Sequence, residues 1–100
     1  MKINVIDTKY EVKSTNQFNK GLKKGFKQGK DLGKLKKVIE DIANDVTLDK
    51  KHRNHKLNDS KLYQNCYECH IEPDWLLVYQ YINNDLVLLL VNTGSHSDIL

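Results

Sequence analysis

Apolar residues recur along this chain with two different periods. Phe18, Leu22 and Phe26 fall four apart, and Leu35, Val38, Ile39 and Ile42 follow the three-and-four spacing that gathers them on one helical face. The pattern predicts a helix over 17–28 and a second that Asp31 can cap, and Ser14, Thr15 or Asn16 can cap the first. Gly21, Gly25 and Gly29 lie on or beside the first stripe. Each glycine costs up to about 1 kcal/mol of helix propensity, which implies a neighbouring helix approached closely. Lys34, Lys36 and Lys37 point away from the second stripe, so the pair reads as a basic helical hairpin.

The period of two appears elsewhere. Residues 10–13 alternate weakly and predict a short strand, which 3–6 can extend. Residues 66–71 predict a strand with Cys66, Glu68 and His70 on one face and Tyr67, Cys69 and Ile71 on the other. Pro73-Asp74 turns the chain into a strand over 75–82, and Asn83-Asn84-Asp85 turns it again into one over 86–91. The last two strands are almost wholly apolar, as expected when both faces are covered. Between helices and strands, 44–61 lacks a period and reads as a long loop carrying His52 and His55. The expectation is an α+β fold: a short strand, a two-helix hairpin, then a three-stranded antiparallel meander completing a small sheet.

One hundred residues, 39% of them hydrophobic, suffice for one core, so a single domain over 1–100 is expected. No charged-then-apolar leader is evident, and the apolar run at 86–91 is far short of the roughly 20 residues a membrane helix requires, so a soluble cytoplasmic protein without a membrane partner is expected. Two cysteines are too few for a disulfide scaffold. Charge is distributed unevenly. All 16 Lys and Arg precede residue 62 with eight of the 13 acids, leaving +8 on the first 61 residues and −5 on the remainder. A basic half of this kind fits a polyanionic partner, or simply a solvated lysine face.

Two constellations suggest a prosthetic group. Cys66-x-x-Cys69-His70 has the spacing of c-type haem attachment, but on a strand its two sulfurs point to opposite faces. His52-x-x-His55 with Cys66-x-x-Cys69 offers two imidazoles and two thiolates for zinc, against the same strand geometry. A third constellation has another chemistry. His70 and Glu68 share a face, Asp74 lies across the turn, and His96 follows Gly94, which frees the backbone to swing an imidazole over the sheet end. Trp75 beside them is either core or a base-stacking platform. Such groups suit RNA cleavage by its own 2′-hydroxyl, which needs a base, an acid and cations but no metal or other cofactor, and which excludes DNA.

The stretches CHIEPDWLLVY at 69–79, TGSHSDI at 93–99 and YEVKSTNQFNK at 10–20 resemble the YafQ branch of the RelE superfamily of bacterial toxins, over residues 10–100. The resemblance implies a RelE-like α/β fold and a ribosome-dependent endoribonuclease that cuts mRNA in the decoding site of the 70S ribosome. It also implies a cognate antitoxin, a DinJ-like ribbon-helix-helix protein that wraps the toxin and with it binds operator DNA. Carried over by position, the active-site histidines are His55, His70 and His96, the acids Glu68 and Asp74, and the substrate's aromatic neighbour Trp75. On that assignment His55 is the base, His96 the acid, and His70 with Asp74 orients and stabilises charge. Relatives often carry Arg at the place of Asn92 and a basic residue at the place of Tyr67, and Leu100 stands where Phe is common. Asn92, Lys56 and Leu100 are assigned with Trp75 to substrate binding; losing one preorganised donor costs about 3 kcal/mol, so slower chemistry is expected unless Lys56 or the ribosome substitutes, and Arg at position 92 is expected to speed cleavage. A family member reduced to a corepressor bound to its antitoxin is the alternative.

Overall fold

The computed structural model describes residues 3–58, 60–82 and 86–99. Strand β1 (Glu11–Ser14) leads into helices α1 (Asn16–Lys27) and α2 (Leu32–Ala43). A 3-10 turn (Lys50–His52) and a two-residue strand β2 (His55–Lys56) follow. The chain then forms β3 (Tyr67–Glu72), β4 (Trp75–Ile82), β5 (Val87–Gly94) and a closing turn of helix α3 (His96–Ile99). One five-stranded sheet results, in the order β1-β5-β4-β3-β2. The β3–β4–β5 meander is antiparallel as expected, with β1 parallel to β5 at one edge and β2 antiparallel to β3 at the other.

Local chemistry accounts for the helix ends. The Thr15 hydroxyl accepts the Phe18 N–H at 3.0 Å and itself donates to the Val91 carbonyl at 2.6 Å, so one side chain caps α1 and ties it to β5. Asp31 accepts from Gly33 N–H at 2.9 Å and caps α2. At the far end of α2, Asp45 takes a left-handed conformation (φ 58°) while the Val46 N–H reaches back to the Asp41 carbonyl, closing the last turn.

Two expectations about α1 are corrected. Phe18 and Leu22 are buried, but Phe26 is 57% exposed and Gly25 occupies the next buried place. The close approach is also to the sheet and not to a second helix: a Cβ on Gly21 would sit 2.2 Å from the Thr93 carbonyl oxygen. Glycine is therefore needed where α1 crosses β5. Against this helical face β3, β4 and β5 present Cys69 and Ile71, then Trp75, Leu77 and Tyr79, then Leu88 and Leu90.

The loop over 44–61 is corrected as well, because it contains the 3-10 turn and β2, which widens the sheet by one strand. The Asn83-Asn84-Asp85 turn, together with Leu100, lies outside the described residues. A bulge shifts the register from Val78↔Asn92 to Tyr79↔Leu90, inserting Val91 as an extra residue in β5. Beyond it the ladder resumes with Asn92 opposite Val78 on the face away from the helices. That second face carries a smaller core of Tyr63, Cys66, Leu76, Val78 and Ile99.

Candidate active site

Alternation along β3 sends Glu68 and His70 to the face opposite the helices, as their spacing predicts. On the outer edge His55 pairs with Glu68 across β2 and β3. The Glu68 carboxylate then lies between two imidazoles, 3.8 Å from His55 Nε2 and 3.9 Å from His70 Nε2. At 13% exposure it is largely shielded, as is His70 at 12%, whereas His55 is half exposed.

His96 arrives from the other end of the sheet. The Ser95 side chain accepts the Asp98 N–H at 3.2 Å, and Asp98 accepts from Ser95 N–H at 3.0 Å, a reciprocal cap that starts α3. The S-x-x-D spacing at 95–98 was a legible signal for this helix, which the strand-centred reading of the sequence missed. A Cβ on Gly94 would come within 2.7 Å of Asp98 Cβ, so the bare backbone is what lets the cap fold back on β5. Placed in the first turn, His96 has an N–H without a partner in its own helix. Asp74 Oδ1 accepts that N–H at 2.9 Å and also the ring Nδ1–H at 2.6 Å. The backbone donor is the larger reason the Asp74 carboxyl is held below the usual carboxylate range, with the ring second.

The three imidazoles share one arrangement. His55 Nδ1 meets the Arg53 carbonyl at 2.7 Å, His70 Nδ1 the Pro73 carbonyl at 3.3 Å, and His96 Nδ1 the Asp74 carboxylate. Each partner only accepts, which assigns the proton to Nδ1 and leaves Nε2 presented. The His70 and His96 ring centres are 5.5 Å apart. His55, Glu68, His70, Asp74 and His96 are therefore brought together, with one change of partner: Asp74 orients His96, while His70 is held by the turn backbone.

Other expected site residues stand elsewhere. Trp75 is 1% exposed, its ring in the helix-side core, its Nε1–H donated to Thr93 Oγ1 at 3.1 Å and the Lys30 ammonium over its face at 5.3 Å. It is a core residue, not a stacking platform for substrate. Asn92 is 4% exposed and saturated, donating to the Tyr63 hydroxyl at 2.9 Å and accepting the Thr93 N–H at 2.9 Å, so its substrate-binding role is withdrawn. Lys56 pairs with Tyr67, and the pleat therefore turns it to the face opposite Glu68. It does not replace a cation on the reaction face.

The cysteines stand as the strand geometry that argues against zinc and haem predicts. Cys66 and Cys69 are free thiols buried in separate cores on opposite faces, and burial pushes the Cys69 thiol up to about 12. Among the described residues no group of three or more His, Cys, Asp or Glu side chains is arranged to hold a metal ion. None of the described helices is long and apolar enough to cross a membrane.

Residues 10–100 match the model of a family described as the bacterial toxin of type II toxin-antitoxin system, YafQ. The chain is 30% identical to the mRNA interferase toxin YafQ of Escherichia coli strain K12 over 88 residues, 87% of this chain and 91% of that protein. Among solved structures, that of a metal-bound toxin from Helicobacter pylori superposes with a TM-score of 0.84 at 36% identity, covering 91% of this chain and 99% of the other. The toxin-antitoxin complex DinJ-YafQ of E. coli gives 0.80 at 27% identity, covering 92% and 98%.

Proposed function

The chain belongs to the YafQ family of type II toxins, and on that footing we propose that it is an mRNA interferase, an endoribonuclease that cuts messenger RNA in the A site of the 70S ribosome and so halts translation. The observation that carries the reading is the convergence of three imidazoles, each tied through Nδ1 and each presenting Nε2: His55 and His70 flank the shielded Glu68, and His96, oriented by Asp74, lies with its ring centre 5.5 Å from that of His70.

In this mechanism His55 Nε2 removes the proton from the 2′-hydroxyl, whose oxygen attacks the adjacent phosphorus. The P–O bond to the 5′-oxygen breaks, and His96, entering the step as the imidazolium with Nδ1–H still held by Asp74, delivers its Nε2 proton to that oxygen and is left neutral while His55 is left protonated. The products are a 2′,3′-cyclic phosphate and a free 5′-hydroxyl. Asp74 fixes the tautomer of His96, and Glu68 with His70 closes the floor of the site. The reaction as written draws on proton transfer alone and requires no metal. Lys51 and Arg53 line a pocket together with His70, and the ribosome is the natural source of any further positive group the crowded phosphate needs, which is itself a reason for ribosome dependence. The antitoxin partner in this reading is a ribbon-helix-helix protein of the DinJ kind, and the pair binds operator DNA in the cytoplasm.

Ribosomes programmed with a short message test the proposal. Wild-type protein, stripped of transition metals beforehand, is expected to generate new ends carrying a cyclic phosphate and a 5′-hydroxyl. His96→Gln should fold normally yet cleave about 10²- to 10⁴-fold more slowly, the usual worth of a positioned acid or base. Activity lost on stripping and restored by a divalent ion would replace the metal-free step. Binding to antitoxin and operator without new RNA ends would favour the corepressor reading.

A further inference from the structure

Three of the four histidines meet on the reaction face; the fourth, His52, closes the 3-10 turn at 50–52 and is half-buried. Its Nδ1 lies 2.6 Å from the backbone carbonyl of His70. A carbonyl only accepts, so Nδ1 carries the proton and donates it. β2 pairs with β3 at Tyr67 and Glu68, and beyond that point the His52 ring supplies the donor to the β3 edge.

The next three residues convert this bond into the placement of a reacting group. Arg53 turns the chain through a left-handed conformation (φ 46°), and its carbonyl receives the His55 Nδ1–H. Asn54 Oδ1 accepts the Tyr79 hydroxyl at 2.6 Å, tying the turn to β4. Then comes β2, two residues long with both exposed, a ladder too short to hold a side chain in register by itself. His52 and Asn54 are thus the two tethers on either side of the turn that delivers His55.

The geometry points to His52 as a positioning residue for the endonuclease proposed above: its bond to the His70 backbone keeps His55 Nε2 beside Glu68 and within reach of the 2′-hydroxyl. His52 touches no substrate in this account and acts through His55. The inference rests on the nuclease reading for its catalytic consequence, but the tether itself is a property of the folded chain.

Three variants separate a tether from a general packing role. In His52→Asn the amide nitrogen stands where Nδ1 stood, whereas in His52→Gln it is displaced to the place of Nε2. His52→Ala and His52→Gln are expected to lower kcat on programmed ribosomes by about 10- to 100-fold, the scale of a misplaced catalytic group, with KM little changed; His52→Asn should stay within a few-fold of wild type. Histidine ring ¹⁵N spectra give an arm independent of cleavage. The His55 signals should shift and broaden in His52→Ala and His52→Gln, keep their Nδ1-protonated pattern in His52→Asn, and leave His96 unaffected throughout. Asn no better than Ala, or His55 signals unmoved in His52→Ala, would overturn the inference. Should His52→Ala fail to fold, the Asn and Gln pair decides by the same readouts. If wild-type protein cleaves nothing while the ring spectra behave as expected, the nuclease reading falls and the tether stands.

Discussion

The two faces of the sheet are built by different means. On one, two regular helices lay Phe18, Leu22, Leu35 and Ile39 over Leu77, Tyr79, Leu88 and Leu90, and polar groups are confined to paired positions such as Trp75 with Thr93. On the other, an irregular segment supplies Tyr63 and Cys66, and a single turn of helix supplies Ile99. His55, His70 and His96 stand on this second face, where side chains are held by individual hydrogen bonds from turns. Dense apolar packing resists displacement in all directions, whereas a lone hydrogen bond fixes direction and leaves room for a substrate. One face thus stores stability and the other precision.

The comparison can be attacked by substitution. Asn92→Arg was expected from the family pattern to help catalysis; the buried, saturated Asn92 reverses that expectation. The new charge would displace Tyr63 and cost about 3 to 5 kcal/mol, read as a lower urea midpoint together with slower cleavage. Faster cleavage at unchanged stability would mean that the second face yields far more readily than its packing implies. A smaller loss is expected from Gly21→Ala on the helical face. The added carbon meets the Thr93 carbonyl, at a cost of about 2 kcal/mol after the gain in helix propensity. Gly25→Ala is the matched control. Its Cβ would meet only the Lys30 side chain at 3.6 Å, so thermal unfolding should show it neutral or stabilised by up to about 1 kcal/mol.

The smallest effect concerns the tie between the faces. Asp98 caps α3 and bonds Lys24 of α1 at 2.7 Å, and that lysine, followed by the Ser95 N–H, holds its carboxyl down at about 2 from the ordinary 3.8. A depressed carboxylate stabilises the fold above its unfolded value and loses that contribution as pH falls toward about 2. Solvent screening limits the contribution to about 1 kcal/mol. Asp98→Asn should therefore melt below wild type at pH 6 and together with it near pH 2, and a gap that persists in acid would assign the effect to shape and not to charge.

What could be read from residues alone follows the same division. The stripe of α2 and the faces of Glu68, His70, Cys69 and Ile71 came directly from period, because regular elements repeat their environment, and the 75–82 strand came from an apolar run between two turn signals. β2 has two residues and no alternation to detect, and its existence depends on the His52 and Asn54 bonds to distant strands. The family position alone assigns Asn92 to substrate, and no pattern in the sequence marks the bulge at Val91 beyond which Asn92 lies enclosed opposite Val78. Gly25 and not Phe26 takes the next buried place of α1, with the Lys30 side chain 3.6 Å from where a Cβ would stand, and the four-residue spacing alone does not distinguish the two. The partnership of Asp74 with His96 depends on a helix N-terminus 22 residues further along, and only the reciprocal cap at 95–98 hinted at that helix.

β1 is the first strand made and its sheet neighbour β5 is the last. During synthesis the early segment has nothing to zip onto until residues 87–90 have left the exit tunnel, and His96 emerges later still. Closing of the sheet and arrival of His96 beside Asp74 are therefore late and linked events, and until they occur the first-made strand has an unpaired edge that only the last-made strand can cover.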